Sequence, residues 1–258
     1  MVTVAAQPYE PPLINGEGTS EFEWRQSTAL RDLAEFTLPP CDLAVVVAPH
    51  PDDETLALGG TISLLLDAGA TVLVVTASDG AASHPNSPTM PAESLRRIRA
   101  NESRTAIRVL GEGRRGNAFN VQLHLPDGTL RALENELCEH LLRFLTPDVI
   151  CFATWAHDGH PDHEAVGRAA RAACERVGAT LVEFPVWTWH WARTDEPSIP
   201  WDRARRVTLN AQARTVKQRA VQCYQSQIHP LSGEAGDEAV VALNDLLHFE
   251  RDFEVVFS

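Results

Sequence analysis

The sequence predicts an α/β protein of Rossmann-like, doubly wound type, with a mostly parallel sheet and helices on both faces. Short apolar runs, such as residues 43–48 and 149–153, have the composition of strands that are covered on both sides. Segments with helical spacing separate these runs along the chain. The length of 258 residues suits a single large α/β unit that needs neither disulfides nor metal to fold.

The first part of the chain, residues 1–40, is predicted to be an N-terminal extension of the main domain, residues 41–258. Three prolines among its first 12 residues oppose regular structure. Ser20 and Glu23 have the spacing of a capping box, which predicts a helix over residues 21–36 before a pair of prolines ends it. We expect this extension to pack as an arm on the main domain; a lid over the site and a subunit contact are the alternatives.

Strands and helices alternate through the main domain. The predicted strands are residues 43–48, 72–76, 119–125, 148–153, 180–189 and 252–257. The predicted helices are residues 54–68, 92–110, 129–145, 162–177, 210–225 and 238–248. Residues 78–91 are rich in Ser, Pro, Gly and Asn, which predicts a long loop of the kind that often has a function.

Charge and cysteine content restrict the partners and the compartment. The formal net charge of −13 argues against nucleic acid or an anionic membrane surface as the main partner. The 5 cysteines are odd in number and scattered, which is typical of reduced thiols in the cytoplasm. No secretory signal is recognisable, and no apolar run approaches the ~20 residues of a membrane span. We therefore expect a cytoplasmic protein.

Two related tetrapeptides follow predicted strands of the sheet. His50-Pro51-Asp52-Asp53 comes after the run 43–48, and His160-Pro161-Asp162-His163 comes after the run 149–153. Ligands of open α/β sheets bind in the crevice at the carboxyl ends of the strands. Either motif alone could serve only to cap a helix with its Asp. Two motifs after two buried strands instead favour one shared site.

Together the motifs contain the parts of a zinc hydrolase. His50, Asp53 and His163 can supply the three protein ligands that a catalytic zinc requires. Asp52, next to a ligand, is the natural general base for water attack on a carbonyl. His160 is suited to stabilise the oxyanion and to donate a proton. Asp162 is expected only to cap its helix.

Several segments are similar to one protein family. Pro49-His50-Pro51-Asp52-Asp53-Glu54 resembles the PHPDDE signature of the LmbE-like, or PIG-L, de-N-acetylases, and residues 158–163 resemble their second motif. Arg99 to Glu102 looks like the R-x-x-E helix of the family, and residues 125–128 look like one of its turns. A C-terminal helix pattern is also similar, at Lys217, Ala220, Tyr224, Ser226 and Gln227. The resemblance covers residues 42–228.

This resemblance implies an LmbE-like fold and zinc-dependent removal of an N-acetyl group, usually from an N-acetylglucosaminyl unit. It implies that His50, Asp53 and His163 bind Zn²⁺, although Fe²⁺ can occupy such a site. It assigns Asp52 as the base and His160 to the oxyanion. Arg99 and Asp127 match positions where some members contact the sugar. Ser78-Asp79-Gly80 stands where many members have Gly-Glu, so the substrate itself stays open.

Other residues near the motifs have expected roles of their own. Trp155 is a candidate for the lining of the substrate pocket, and Asp158 could orient His160. Trp187, Trp189 and Trp191 alternate and would share one face of a continued strand, where packing is favoured over sugar stacking. His124 and His190 are expected to be structural or exposed.

The leading hypothesis is a zinc-dependent N-deacetylase that acts on a small N-acetylated amino sugar or its conjugate. One alternative is an amidase that removes a larger N-acyl group or cleaves a thiol conjugate. Another is a metal-binding module without catalysis, although such a module needs neither Asp52 nor His160. Neither nucleic acid nor a membrane span is expected, and a homo-oligomer remains open.

Overall fold

A computed structural model describes residues 16–258, so the first 15 residues of the predicted extension lie outside the described part. Its strands form one eight-stranded sheet. They are β1 (Ala34–Glu35), β2 (Leu43–Ala48), β3 (Thr71–Ser78), β4 (Ala118–Leu125), β5 (Ile150–Thr154), β6 (Thr180–Phe184), β7 (Ala204–Thr208) and β8 (Phe253–Phe257).

The helices connect these strands and cover both faces of the sheet. They are α1 (Glu21–Gln26), α2 (Thr28–Arg31), α3 (Asp53–Ala68), α4 (Ala92–Gly111), α5 (Glu134–Leu141), α6 (Pro161–Val177), α7 (Thr188–Trp191), α8 (Ala211–Val221), α9 (Gln225–Ile228) and α10 (Leu243–Leu246). Two 3₁₀ helices, Leu130–Leu133 and Leu247–Glu250, precede α5 and follow α10. None of the helices in residues 16–258 is long and apolar enough to cross a membrane.

The strand order is β1-β7-β8-β6-β5-β2-β3-β4, and only β8 runs antiparallel to its neighbours. From β2 the chain builds β3 and β4 towards one edge of the sheet. It then returns to place β5 and β6 on the other side of β2. The order therefore reverses between β2 and β5, and such a reversal creates a crevice at the carboxyl ends of the two strands. This architecture confirms the predicted fold class.

Alternating side chains of β2 enter two separate cores. Val46 packs with residues of α3, α4 and α8 on one face of the sheet. Val45 and Val47 pack with residues of α5 and α6 on the other face. All three valines are fully buried, as expected for a central parallel strand. The two covered faces hold the carboxyl end of β2 in a fixed position.

The predicted helix over residues 21–36 is wrong, although its capping box is confirmed. Ser20 accepts a hydrogen bond from the backbone N–H of Glu23, whose carboxylate accepts one in return. Ser27 then ends α1 and starts α2, because its hydroxyl accepts the N–H of Leu30. The following residues form β1, which pairs with β7, a strand that the sequence did not reveal.

The predicted strand over residues 180–189 is also wrong beyond Phe184. The backbone N–H groups of residues 186–188 donate to the buried carboxylate of Asp158 instead of continuing the sheet. The chain then turns into α7, so the three tryptophans do not share a strand face. Trp189 is buried against Trp24, and the Trp191 indole donates to the carbonyl of Asp158. Trp187 borders the cavity described below.

Several helix boundaries differ from the predictions. The segment 129–145 forms a 3₁₀ helix and the shorter α5, and the segment 210–225 is divided between α8 and the start of α9. The segment 238–248 is largely irregular before α10. Hydrophobic spacing does not record the tertiary contacts that such segments also make. One example is the N–H of Val241, which donates to the carbonyl of Gln227.

Residues 19–35 pack on the rest of the protein through a buried ion pair. Glu21 is 4% exposed and receives two guanidinium N–H bonds from Arg251. It also receives the Nδ1–H of His248 at 2.9 Å. Burial alone would raise the pKa of Glu21, but the bonds from His248 and Arg251 lower it to about 2. The division of the chain at residue 40 remains a prediction.

Replacing Glu21 tests this anchor. We expect Glu21→Gln to lower the free energy of unfolding at pH 7 by about 3 kcal/mol, because it leaves buried Arg251 without its counter-charge. The folded-state pKa is depressed, so the stabilisation is present above pH ~4.5 and is lost as pH falls towards 2. Urea unfolding at pH 7, 5 and 3.5 should show that the difference in unfolding free energy between the variant and wild type becomes smaller as pH falls. Glu112→Gln, in the exposed pair with Arg219, is the matched control and should change stability by about 0.5 kcal/mol or less. Equal effects of the two variants would contradict the account.

Candidate active site

The two His-Pro-Asp tetrapeptides, residues 50–53 and 160–163, are called the HPD motifs, and they meet at the carboxyl ends of β2 and β5. In the first motif Asp52 precedes α3 with a φ of 139°, a backbone conformation that side chains other than glycine rarely adopt. Its side chain makes no capping hydrogen bond. Such strain persists only where the surroundings impose it and is common at functional sites. The side chain of Asp52 therefore does not serve as a cap of α3.

His50, Asp53 and His163 form a compact group of potential metal ligands. One ligand atom from each lies within 4.8 Å of the others, and all three residues are buried. The Oδ2 atom of Asp53 is 3.3 Å from Nδ1 of His50 and 3.4 Å from Nε2 of His163. This set of two imidazoles and one carboxylate matches known catalytic zinc sites.

The hydrogen bonds of the two imidazoles fit a bound metal ion. Nδ1 of His163 lies 2.8 Å from the Asp158 carboxylate, and its buried Nε2 has no hydrogen-bond partner among the described residues. Nε2 of His50 lies 3.1 Å from the carboxylate of Asp127. Each ring thus has one nitrogen on an outer carboxylate and the other beside Asp53, as metal-binding histidines typically do.

A second group of three, His50, Asp127 and Asp162, shares one member with the first. Both aspartates of this group already accept hydrogen bonds from backbone N–H groups. Asp127 accepts the N–H of Ala82 at 2.7 Å, and Asp162 accepts the N–H groups of Gly128 and Leu130 at 2.7 and 3.0 Å. The group containing His163 is favoured because His163 has a nitrogen left without a partner. The expectation that Asp162 only caps its own helix is wrong, since Asp162 holds the turn that carries Asp127.

The charges of this group depend strongly on one another. Burial opposes a charge on His50, but hydrogen bonds with Asp127, Asp162 and Asp53 raise its pKa well above the usual value. Burial likewise opposes the charge on Asp53, while His163 and His50 lower its pKa to about 2. The carboxylates thus attract positive charge to the group, and a metal cation competes with the protons held there.

Asp52 lies beside the metal group and borders the cavity. Burial is the largest influence on this carboxyl and raises its pKa well above the usual value, although the nearby charge of Arg99 acts in the opposite direction. The distance from Asp52 Oδ2 to Arg99 Nη2 is 3.3 Å. A raised pKa suits a base that must accept a proton near neutral pH.

Arg99, a predicted sugar contact, also has structural partners. Its guanidinium donates to the carbonyls of Gly80 and Pro51 at 2.7 and 2.9 Å. Gly80 has a φ of +63°, and a Cβ there would lie 2.2 Å from Arg99. The glycine of the unusual Ser78-Asp79-Gly80 segment is therefore needed for this close approach. Arg99 borders the cavity and at the same time holds the strained turn at Asp52.

His160 is the N-cap of α6 and borders the same cavity. Its Nδ1 accepts the N–H of Asp162 at 3.2 Å, so in the neutral ring Nε2 carries the proton. Burial and the neighbouring His163 and His50 lower the pKa of His160 to about 3. The ring is therefore a neutral hydrogen-bond donor, which suits an oxyanion stabiliser.

Two expected roles near the second motif are corrected. Asp158 orients His163 and not His160, because its carboxylate lies on Nδ1 of His163. Trp155 does not line the cavity: it is 3% exposed and packs against Phe257, with ring centroids 5.0 Å apart. A residue that is close to a motif in the sequence can thus belong to the core and not to the site.

The resemblance at the C-terminal helix has a structural explanation. The Tyr224 hydroxyl donates at 2.6 Å to Glu54, whose other carboxylate oxygen accepts the N–H of Asp52 at 3.3 Å. Ser226 donates to Glu102 through its hydroxyl at 2.7 Å and its N–H at 2.8 Å. These buried bonds attach the C-terminal helices to the first motif and to α4. The PHPDDE signature contains Glu54, which could have revealed this support.

A cavity of about 390 Å³ borders Asp52, His160 and part of the metal group. Another of its walls comes from the C-terminal third of the chain, where the sequence had singled out only Trp187 and Gln227. His190, predicted to be structural or exposed, borders the cavity and is 5% exposed. His124 is largely exposed and pairs with Asp79, in agreement with its expected surface position.

Comparison with known proteins supports the similarity seen in the motifs. The family model "PIG-L: GlcNAc-PI de-N-acetylase" matches residues 45–174. The probable N-acetyl-alpha-D-glucosaminyl L-malate deacetylase 2 of Bacillus cereus is 32% identical over 137 residues, which cover 52% of this chain and 61% of that protein. A 1D-myo-inositol 2-acetamido-2-deoxy-alpha-D-glucopyranoside deacetylase of Saccharopolyspora erythraea is 31% identical over 58% of each chain.

These matches therefore span less than two thirds of either relative. Among solved structures, the zinc-inhibited form of teicoplanin deacetylase Orf2 has a similar fold, with a TM-score of 0.59. It is 18% identical and covers 83% of this chain and 97% of its own. The matched family segment contains both HPD motifs, most of β2, the whole of β3 to β5 and most of α6. The chain belongs to the PIG-L family of GlcNAc-PI de-N-acetylases.

Proposed function

We propose that this protein is a metal-dependent hydrolase that removes the N-acetyl group from an N-acetylglucosamine-type sugar or conjugate. The observation that carries the proposal is the buried group of His50, Asp53 and His163 beside Asp52 in one cavity. The named activities of the curated relatives agree with it. Zinc is the metal we propose, since two imidazoles and a carboxylate suit it, although the same ligands accept Fe²⁺.

The chain's own residues would perform the proton transfers. A divalent metal held by the three ligands would supply Lewis acidity, which lowers the pKa of water so that it can lose a proton near neutral pH. Asp52 takes the proton of that water, and the Nε2–H of His160 donates a hydrogen bond to the oxyanion that forms from the acetyl carbonyl. We assign protonation of the leaving amine to Asp52, which by then carries the proton taken from the water.

The substrate contacts and the setting of the enzyme remain proposals. Arg99 and Asp127 border the cavity and are proposed to contact sugar hydroxyls in addition to their bonds within the site. A small amino-sugar substrate agrees with the cavity volume of about 390 Å³. The 5 cysteines all lie in the described chain and are free, which supports a cytoplasmic location. A homo-oligomer is left as a proposal for solution measurements.

Metal binding should depend on Asp158 as well as on the ligands. We expect His163→Ala to abolish stoichiometric zinc binding, and Asp158→Asn to weaken it by about 10- to 100-fold, because the His163 ring loses the carboxylate that orients it. Elemental analysis and competition with a fluorescent chelator measure both effects. His140→Ala, at a partly exposed histidine of α5, is the matched control and should keep full affinity. Unchanged affinity in His163→Ala would contradict the assigned metal site.

Activity should depend on Asp52 without affecting the metal. We expect Asp52→Asn to lower kcat for acetate release from N-acetylglucosamine conjugates by about 10³-fold, because the base is removed. Zinc content should stay stoichiometric, which separates loss of the base from loss of the site. Asp202→Asn, at an exposed residue that does not border the cavity, is the control. Full activity in Asp52→Asn would contradict the mechanism, and faster release of longer acyl groups than of acetate would favour the alternative amidase. Bound metal without hydrolysis of any acylated sugar would favour a non-catalytic module.

A further inference from the structure

One wall of the cavity is built by residues that lie outside the matched family segment. We call it the C-terminal wall and define it by the six residues Trp187, His190, Gln227, Val241, His248 and Phe249, all of which border the cavity. All six lie beyond residue 174, where the family match ends. The family match therefore does not extend to this side of the candidate substrate site.

Three polar atoms of this wall have no hydrogen-bond partner among residues 16–258. They are Nε2 of His190, Oε1 of Gln227 and Nε2 of His248. The three residues are 5%, 0% and 3% exposed. A buried polar atom without a partner is costly, so a ligand that supplies the missing hydrogen bonds would be favoured at this position.

The two imidazoles offer acceptors because their other nitrogens face carboxylates. Nδ1 of His190 is 2.7 Å from Asp245, and Nδ1 of His248 is 2.9 Å from Glu21. A carboxylate only accepts, so both Nδ1 atoms carry a proton, and in the neutral tautomer that this fixes each Nε2 has a lone pair.

The side-chain amide of Gln227 is also held in one orientation, and its oxygen is left without a hydrogen-bond donor. Its Nε2 donates to the Ser226 hydroxyl at 2.9 Å, and that hydroxyl donates to Glu102 at 2.7 Å. Ser226 has used its only proton and must therefore accept from the amide nitrogen. The remaining atom of Gln227 is an oxygen, so all three orphan atoms of the wall are acceptors.

The C-terminal wall lacks the charge that an anionic ligand needs. Among the described residues that border the cavity, Arg99 is the only Lys or Arg. Its two Nη atoms are engaged by Asp52 and two carbonyls, and only its buried Nε is left without a partner. The carboxylate of Asp245 also borders the cavity, next to His190. A carboxylate or phosphate here would lose its hydration without meeting a free cation, which is unfavourable. Apolar Trp187, Val241 and Phe249 instead suit the C–H faces of a ring.

We propose that the C-terminal wall binds the group attached to the amino sugar, and that it selects a neutral, hydroxyl-rich group over an anionic one. Hydroxyl protons would satisfy the three acceptors, and the apolar side chains would contact the ring carbons. This proposal rests on the proposed deacetylase function, which it refines. The two curated relatives differ in this attached group, since one is named for an inositol and the other for malate, a dicarboxylate.

Comparison of two conjugates tests the proposal. The probes are 1D-myo-inositol 2-acetamido-2-deoxy-alpha-D-glucopyranoside and N-acetyl-alpha-D-glucosaminyl L-malate. We expect kcat/KM for acetate release to be at least about 10-fold higher for the inositol conjugate, the equivalent of one or two hydrogen bonds. His190→Phe and Gln227→Met should each reduce this preference by roughly 3- to 10-fold, mainly through KM. Val240→Arg, which adds a cation beside the wall, should raise kcat/KM for the malate conjugate.

His140→Phe, at a histidine of α5 that does not border the cavity, is the matched control and should keep the wild-type preference. Calorimetric titration of the metal-free protein with the two deacetylated products measures the same preference without catalysis. Absence of hydrolysis of both conjugates and of N-acetylglucosamine would refute the deacetylase function, while the titration would still decide the wall's selectivity. Equal or tighter binding of the malate product by wild type, or a preference unaffected by His190→Phe and Gln227→Met, would overturn this inference.

Discussion

The parallel pairing of β2 with β5 is the constraint on which the candidate site depends. These strands are paired from Ala44 with Ile150 to Val47 with Ala153, and their side chains are buried on both faces of the sheet. Because the strand order reverses between them, no crossover helix covers the crevice at their carboxyl ends. The two HPD motifs leave the sheet at this crevice. A shift of the register would separate His50 from His163, so stability of the sheet and assembly of the metal group are linked.

A single buried carboxylate connects that metal group to the shape of the cavity. Asp158 faces Nδ1 of His163 and also accepts three backbone N–H groups and the Thr188 hydroxyl from the segment after β6. The same bonds end β6 and start α7, which places Trp187 and His190 at the C-terminal wall. Orientation of a metal ligand and position of a substrate wall therefore depend on one side chain. The Asp158 carboxylate makes His163 a better ligand. Most of the hydrogen bonds that this carboxylate accepts come from the backbone N–H groups of the segment after β6.

The sequence could predict the centre of the site because its signals are local there. Two buried strands followed by HPD motifs indicated the sheet, the crevice and the grouping of His50, Asp53 and His163. The sequence did not reveal the roles of residues that depend on tertiary contacts. Trp155 follows β5 directly, yet it packs into an aromatic cluster, and Asp158 faces a different histidine from the one expected. The C-terminal wall was foreseen only at Trp187 and Gln227, because the rest depends on where α7 and the segment before α10 fold back on the sheet.

The central claim is that two imidazoles and one carboxylate, from His50, His163 and Asp53, hold the metal. X-ray absorption spectroscopy at the zinc edge of the zinc-loaded protein counts imidazole ligands directly, through scattering from the outer ring atoms. The account predicts two imidazoles in the wild type and one in His163→Ala, if any zinc is retained. A wild-type spectrum with a single imidazole and two carboxylates would instead place the metal on His50, Asp127 and Asp162 and would contradict the account.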